Sequence, residues 1–296
     1  MGCADGTKPR QLSGAYLMAV RALLALLTAA ASLFATAGAQ SVTPSSLRAD
    51  PFSALVGKRK PAAERAAEQA AVERFVIATD DRVFLFQSNG GEGRLKFLCG
   101  DGDKRLSCVI DSVNPAEEIH ALTASRVSRG DVAWRNSEGE TLLRIAAYGG
   151  VTVLWPGDAR AHAASKSFGE DPSLILDFAT LETAHARAQT ATALISARVG
   201  APIVFDIGDP GPDSAGGASV LADAVVRAAD GVSRVAEDPT GARVIAAKIR
   251  QIRFRPMPRP ALGIEKGALT VDYNPSGDID GRPSSSRIAR FLEESL

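Results

Sequence analysis

The fold is decided by residues 82–99, which read RVFLFQSNGGEGRLKFLC. An apolar run at 83–86 and an alternating stretch at 94–97 flank the turn Asn89-Gly90-Gly91, and this arrangement predicts a β-hairpin. The same texture continues outward in both directions, with Gly, Asn and Asp at the breaks, which is typical of an antiparallel meander closed as a barrel or stacked as a sandwich. The predicted strands are 74–79, 82–88, 94–99, 105–111, 119–127, 130–136, 140–147 and 150–155.

The second half of the chain has a different texture, in which helical and strand patterns are mixed. We therefore predict an α+β protein with a β domain at 74–156, a boundary between Pro156 and Pro172, and an α+β domain at 173–296. Residues 40–73 form a leader ending in a short helix near 61–73. The predicted helices are 179–199, 218–235, 241–248 and one that follows Ser284-Ser285-Ser286, and the predicted strands are 174–178, 202–207, 249–255 and a final hairpin that includes 268–273.

The N-terminus has the pattern of a signal peptide covering residues 1–39. A single positive charge, Arg21, precedes the apolar run 22–34, and the small residues Ala37 and Ala39 predict cleavage before Gln40. A run of about 13 residues is too short to span the bilayer as a helix, although an N-terminal anchor or a buried helix stays open as an alternative. Translation starts at Met1 or Met18. We expect an exported protein, periplasmic or extracellular, with no transmembrane segment in the mature chain.

Charge argues against a nucleic-acid partner. The chain has 34 basic and 34 acidic side chains, and residues 1–39 contain three of the former and one of the latter. The mature chain then has 31 basic and 33 acidic groups, a net charge of −2. A protein that follows the phosphate backbone of a nucleic acid has a basic excess, and this chain has none.

Two cysteines, Cys99 and Cys108, would stay in the mature chain, which suits an oxidising compartment. They flank the turn 100–104, and we expect a disulfide across a hairpin formed by 94–99 and 105–111. Two buried thiols or a redox pair are the alternatives, but the spacing lacks the CxxC pattern that lowers a thiol pKa. Two sulfurs without a nearby histidine do not predict zinc, and we expect no metal and no cofactor.

The candidates for catalysis are few, and catalytic residues cannot be assigned. Of three histidines, His120 lies in a predicted strand as a packed residue, His185 lies on a helix three residues after Glu182, and His162 lies in a loop where it can face a ligand. No GxSxG, HExxH or SxxK motif is present. Two acidic loops are weak cation candidates that turn chemistry explains better: 276–281, which fails the EF-hand pattern, and 206–213, with Asp206, Asp209 and Asp213.

Three segments carry a resemblance: RLKFLCGDGDKRLSC at 94–108, AAYGGVTVLWPG at 146–157 and GALTVDYNPSGDIDGRPSSSRI at 267–288. With the exported leader they resemble a bacterial family of exported proteins of about 270 residues, known as a domain of unknown function. The resemblance implies no catalytic residues. Two functions are in play: a non-catalytic protein that binds an envelope component or a partner protein, and a cell-wall or polymer hydrolase that uses His162 or His185 with an acidic partner.

Overall fold

The computed structural model describes residues 71–208 and 217–296, which belong to one compact unit. The predicted signal peptide, the leader, most of the predicted helix 61–73, Asp209 and Asp213 lie outside the described residues. The strands are β1 (Val72–Ile77), β2 (Val83–Asn89), β3 (Glu92–Phe97), β4 (Ile119–Arg126), β5 (Val132–Arg135), β6 (Thr141–Ile145), β7 (Val151–Leu154), β8 (Ala161–Ser167), β9 (Val204–Asp206), β10 (Gln251–Pro256), β11 (Ala261–Glu265) and β12 (Ala268–Tyr273). The helices are α1 (Leu106–Val109), α2 (Leu181–Val199), α3 (Ala218–Val235), α4 (Pro239–Lys248) and α5 (Ser285–Ser295).

Strands β1 to β8 form a closed antiparallel barrel in which each strand pairs with the next along the chain. The barrel closes where β1 pairs with β8, with Arg74 opposite Ser167. The predicted meander is thus confirmed in its barrel form. An eight-stranded barrel has an interior just wide enough for side chains to fill it. Here the filling is largely aromatic, with the Phe75 and Phe84 rings stacked at 5.1 Å and Phe86 edge-on to Trp134 at 5.0 Å.

Gly93 on β3 is the position where this aromatic filling comes closest to the barrel wall. A Cβ atom there would lie 2.8 Å from the Trp134 ring and 3.0 Å from the Phe86 ring, closer than van der Waals contact allows. Only glycine therefore lets the indole of Trp134 lie flat against β3.

Strand β8 lies in the stretch 156–172, where the sequence analysis places only a polar boundary. Its sequence AHAASKS contains only alanine as an apolar residue, and its side chains are exposed or half-buried. A strand that is stabilised mainly by backbone pairing with β1 and β7 has little hydrophobic pattern in its sequence.

The predicted strand 105–111 is wrong, because this segment is helix α1 and not the second arm of a hairpin. Arg105 precedes the helix and donates from Nη2 to the Leu98 carbonyl at 2.9 Å, which occupies an acceptor at the end of β3. Leu106 and Ile110 then lie four residues apart on one side of the turn and pack into the core of the helical half. Over so short a run, the spacing of Leu106, Cys108 and Ile110 is compatible both with the two-residue period of a strand and with the 3.6-residue period of a helix.

The predicted strand 174–178 is also absent. Its backbone amides are satisfied by side chains: Leu174 N–H donates to Gln87 Oε1 and Leu176 N–H to Asp278 Oδ1, each at 3.1 Å. The Ile175 N–H instead bonds the Ser173 carbonyl at 2.9 Å in a tight turn, and the segment crosses from the barrel to the helical half without pairing to a strand.

The second half confirms the predicted helices and the α+β class. Its four-stranded sheet has the order β11-β12-β10-β9, with β9, β10 and β12 parallel and β11 antiparallel. Helix α3 is buried on almost every side, and at Gly231 it approaches Ile288 of α5 so closely that a Cβ would lie 2.7 Å from that side chain. None of the helices in the two described ranges combines the length and apolarity needed to cross a bilayer.

Candidate functional site

A cleft of about 1050 Å³ opens where one end of the barrel meets the helical half. The barrel contributes Phe97 and Trp155, which belong to its apolar filling at that end. The opposite side is formed by polar residues of the helices, among them Ser107, Asp230 and Arg234. A concave site with an aromatic wall and a few convergent polar groups has the composition of a ligand pocket.

Trp155 lies in the wall of this cleft, where neighbouring side chains cover most of its ring. The guanidinium carbon of Arg82 lies 4.6 Å from the centre of the indole ring and that of Arg105 lies 5.0 Å from it, while Phe97 contacts the ring edge-on at 4.8 Å. Asp103 holds Arg105 in place through an ion pair of 2.6 Å. The indole is therefore fixed by cation–π contacts, which increase in strength as water is excluded.

His162 is part of an ion cluster at the rim and lies on β8, not in the loop predicted from the sequence. Its Nε2 is 2.8 Å from Asp158 Oδ2 and 3.5 Å from Arg82 Nη2. Arg82 also pairs with Asp158 at 2.8 Å and with Asp80 at 2.7 Å. The histidine–carboxylate contact that a hydrolase needs is thus present, but Arg82 also contacts both His162 and Asp158.

A buried charge network joins the barrel to the helices beneath the cleft. Arg227 on α3 is fully buried, and its Nη1 lies 3.4 Å from Glu118 Oε2 and 3.4 Å from Asp230 Oδ2. Asp223 lies one turn earlier on α3, 3.3 Å from Arg227 Nε and 2.5 Å from Arg282 Nε. Buried charges persist only when paired, and this network meets that condition.

Two carboxylates of this network have pKa values displaced in opposite directions. Burial raises the pKa of Asp230 to about 6, against the opposing charge of Arg227. Burial alone would also raise the pKa of Glu118, but the charges of His120, Arg227 and Arg282 outweigh it and hold that pKa well below its usual range. Burial lowers the pKa of His120 to about 4, so its imidazole is neutral near pH 7.

Two guanidinium groups of the cleft differ from the rest, because no carboxylate oxygen of residues 71–208 and 217–296 lies within 4 Å of them. Arg198, in the last turn of α2, donates to the Ser233 hydroxyl, and Arg234, in the last turn of α3, donates to the Ser286 hydroxyl at 3.5 Å. Three helices therefore bring two cations and two hydroxyl groups to one part of the cleft.

The sequence-predicted site residues are only partly brought together. The Cys99–Cys108 disulfide is present, with Cα atoms 5.7 Å apart, and Cys99 lines the cleft. Asp103 lies beside this pair, but the bonded sulfurs are not thiolate ligands. His120 is buried in β4 as predicted, and exposed His185 bonds the Leu181 carbonyl at 2.8 Å, away from the cleft. Ala37, Ala39 and Gln40 lie outside the described residues.

Sequence reasoning missed the functional interest of α3. Asp223, Arg227, Asp230 and Arg234 recur every three or four residues in a helix otherwise rich in alanine and valine. This spacing puts four charges on one face. A surface helix normally exposes such a charged face to solvent and has further polar residues beside it. In α3 all the other faces are apolar, and this pattern indicates a buried helix whose charges have partners.

The fold and the cleft define an α+β protein made of a filled eight-stranded barrel joined to a helical half through buried ion pairs. Residues 51–292 match the family described as Domain of unknown function (DUF4908), and the chain belongs to this family. No curated protein and no solved structure matches the chain.

Proposed function

We propose that the protein is exported to the periplasm or the cell exterior, where it acts as a non-catalytic binding protein whose ligand site is the cleft. The observation that supports this most directly is the cleft itself, with Trp155 and Phe97 on the barrel side and polar groups of the helices on the other. Its partner is an envelope component or an envelope protein.

Export is supported by the sequence and by the disulfide. The apolar run 22–34 followed by Ala37-Gly38-Ala39 predicts cleavage before Gln40. The bond between Cys99 and Cys108 is stable in an oxidising compartment and would be reduced in a cytosol.

A non-catalytic role is favoured by how the histidines are engaged. Nε2 of His162 contacts Asp158 and Arg82, His120 is buried, and the ring of His185 bonds backbone of its own helix. Among the described residues no serine hydroxyl is hydrogen-bonded to a histidine. A serine nucleophile activated by histidine needs that contact.

The test begins with the native protein from its host. Mass spectrometry of the envelope fraction should find a chain that starts at Gln40, with Cys99 joined to Cys108. Binding can then be read from tryptophan fluorescence, because the chain has two tryptophans and Trp134→Phe leaves Trp155 as the reporter. Soluble cell-wall fragments and detergent-extracted envelope proteins are the probes, and a saturable change in Trp155 emission supports the proposal. An uncleaved cytoplasmic chain would contradict export, and no response to either probe would contradict binding.

A hydrolase is the second candidate, and one observation favours it. Asp230 and Glu118 lie on either side of the same Arg227 nitrogen, and the pKa of Asp230 is raised to about 6 while that of Glu118 is held low. Pairs of carboxylates with separated pKa values serve as acid and base in many hydrolases. The His162–Asp158 contact is a second acid–base pair, and its Asp158 lines the same cleft. Release of soluble sugar from labelled cell wall by the wild type, lost in Asp230→Asn or His162→Gln, would establish this candidate.

A further inference from the structure

We infer that the ligand of the cleft carries an anionic group, a carboxylate or a phosphate, which is held between Arg198 and Arg234. The inference rests on the proposed function, since it takes the cleft as the ligand site and adds the chemistry that the site recognises.

The first argument is the contrast between these two arginines and the others that line the cleft. Arg74 pairs with Asp171 at 2.5 Å, and Arg82 and Arg105 each pair with a carboxylate below 3 Å. Among the described residues, Arg198 and Arg234 hydrogen-bond only to serine hydroxyl groups, and the charge of Arg234 acts on Asp230 and Glu118 only at longer range. A guanidinium is always charged and has five N–H donors in a planar fork, so most of their donors are left for another acceptor.

The second argument is that separate helices place these groups next to one another. Arg198 ends α2, yet its bond partner is Ser233 of α3, the residue that precedes Arg234. Arg234 in turn bonds Ser286 in the first turn of α5. Cations in the last turn of a helix also stabilise the helix dipole, but that role does not require both to line one cleft. An anion bound in the cleft would offset the repulsion between the two like charges.

The third argument is the chemistry of the surroundings. Ser233 and Ser286 are buried hydroxyl groups that both donate and accept, and they lie beside the two guanidinium groups. Arginine forks bind carboxylate and phosphate oxygens in pairs, and neighbouring hydroxyl groups complete the coordination of the remaining oxygens.

The experiment uses the mature chain with its disulfide intact and two simple probes, inorganic phosphate and malonate, followed by calorimetry at pH 7. One of the probes should bind, and whichever binds more tightly identifies phosphate or carboxylate as the group recognised. Arg198→Gln and Arg234→Gln should each weaken binding by about tenfold, since a charge-assisted hydrogen bond is lost. Arg243→Gln is the matched control, because Arg243 is exposed and bonds only within α4.

Two outcomes would overturn the inference: neither probe binds the wild type, or both variants bind as the wild type does. Arg198 is exposed, so its substitution leaves the fold intact even where Arg234→Gln disturbs packing. The Trp155 fluorescence response separates the inference from the proposed function. If envelope fractions still bind while both arginine variants behave as wild type, only the anion site is wrong; if nothing binds at all, the binding function fails with it.

Discussion

Glu118, just before barrel strand β4, accepts two hydrogen bonds from Ser285, the first residue of α5. The Ser285 backbone N–H donates to Oε1 at 3.0 Å, and the Ser285 hydroxyl donates to Oε2. The same carboxylate pairs with Arg227 of α3, so one buried side chain connects the barrel to two helices. The two halves of the chain are therefore expected to unfold together.

Replacing Glu118 by Gln should lower the free energy of unfolding by roughly 3 kcal/mol, because the buried Arg227 loses a counter-ion. Chemical denaturation followed by circular dichroism and by tryptophan fluorescence measures this. Glu294→Gln, an exposed change on α5, is the matched control and should have little effect. A loss of less than about 1 kcal/mol would show that Glu118 does not couple the halves.

Gly93→Ala should destabilise the barrel by roughly 1–3 kcal/mol, because the added methyl group overlaps the Trp134 and Phe86 rings. Gly91→Ala is the control two residues away, where a Cβ meets no atom within 4 Å. Thermal unfolding of the two variants compares them directly. Equal melting temperatures would mean that the aromatic filling adjusts without cost.

Cys108→Ala should cost up to about 2 kcal/mol, since the disulfide closes a loop of only ten residues and short loops gain least from closure. The loop leads into α1, whose Ser107 lines the cleft, so ligand binding should weaken along with stability. Thiol labelling of the native protein provides the companion measurement. Two thiols that react before reduction would contradict the bond.

Acidification should act on stability through two groups with opposite signs. The pKa of Asp230 is raised in the folded protein to about 6, so the folded state holds that proton more tightly, and stability from Asp230 grows as pH falls from 6 towards 4. The pKa of His120 is lowered to about 4, so its contribution is lost over the range from 6.5 to 4. The two effects offset each other in the wild type.

Asp230→Asn removes one side of this balance. The variant should be more stable than the wild type at pH 7, by on the order of 2 kcal/mol, and should lose stability on acidification more steeply. Urea denaturation at pH 7 and pH 5 tests the sign. Asp280→Asn, at an exposed carboxylate, is the control. A variant that follows the wild-type curve at both pH values would show that Asp230 does not titrate between them.

Anion binding in the cleft should depend on the same proton. Asp230 lies one turn before Arg234, and when it is ionised it repels an anion held there. Arg227 offsets this repulsion and Glu118 adds to it. The Ser107 backbone amide of α1 also faces the Asp230 carboxylate. Affinity for sulfate, whose charge is constant in this range, should therefore increase by a few-fold as pH falls through about 6.

Calorimetry with sulfate at pH 7 and pH 5.5 measures this dependence. Asp230→Asn should bind sulfate equally well at both values and more tightly than the wild type at pH 7. The neighbouring His120 titrates near pH 4 and does not change charge over this interval. Affinity that is independent of pH in the wild type would contradict a role for Asp230.

The barrel was predictable because its first strands carry strong signals. Phe84, Leu85 and Phe86 form a buried apolar run that is followed by an Asn-Gly-Gly turn, so local sequence and tertiary packing agree. Strand β8 was not predictable, since its pairing with β1 depends on backbone groups, which leave no pattern in the side-chain sequence. Helix α1 was misread because a segment of four residues satisfies both periodicities.

The cleft was the least predictable part, because its residues come together only through tertiary structure. Arg198 and Ser286 are 88 positions apart in the chain, and their side chains belong to different helices. Glu118 has no local feature that separates it from Glu117, whose carboxylate accepts from the Cys99 amide instead. The sequence does show the periodic charges on α3, but they indicate a buried charge network only once the helix is known to be buried.

Closure of the barrel between β1 and β8 has a consequence for the order of folding. The pair joins residues separated by 93 positions at Arg74 and Ser167, so one edge of the first strand has no partner until the last strand has been made. Contacts between distant residues form slowly, because the intervening chain must lose conformational entropy before the contacts stabilise it. Barrel closure should be the slow step of folding, so the free edge of the first strand stays available to other strands until the eighth has been made.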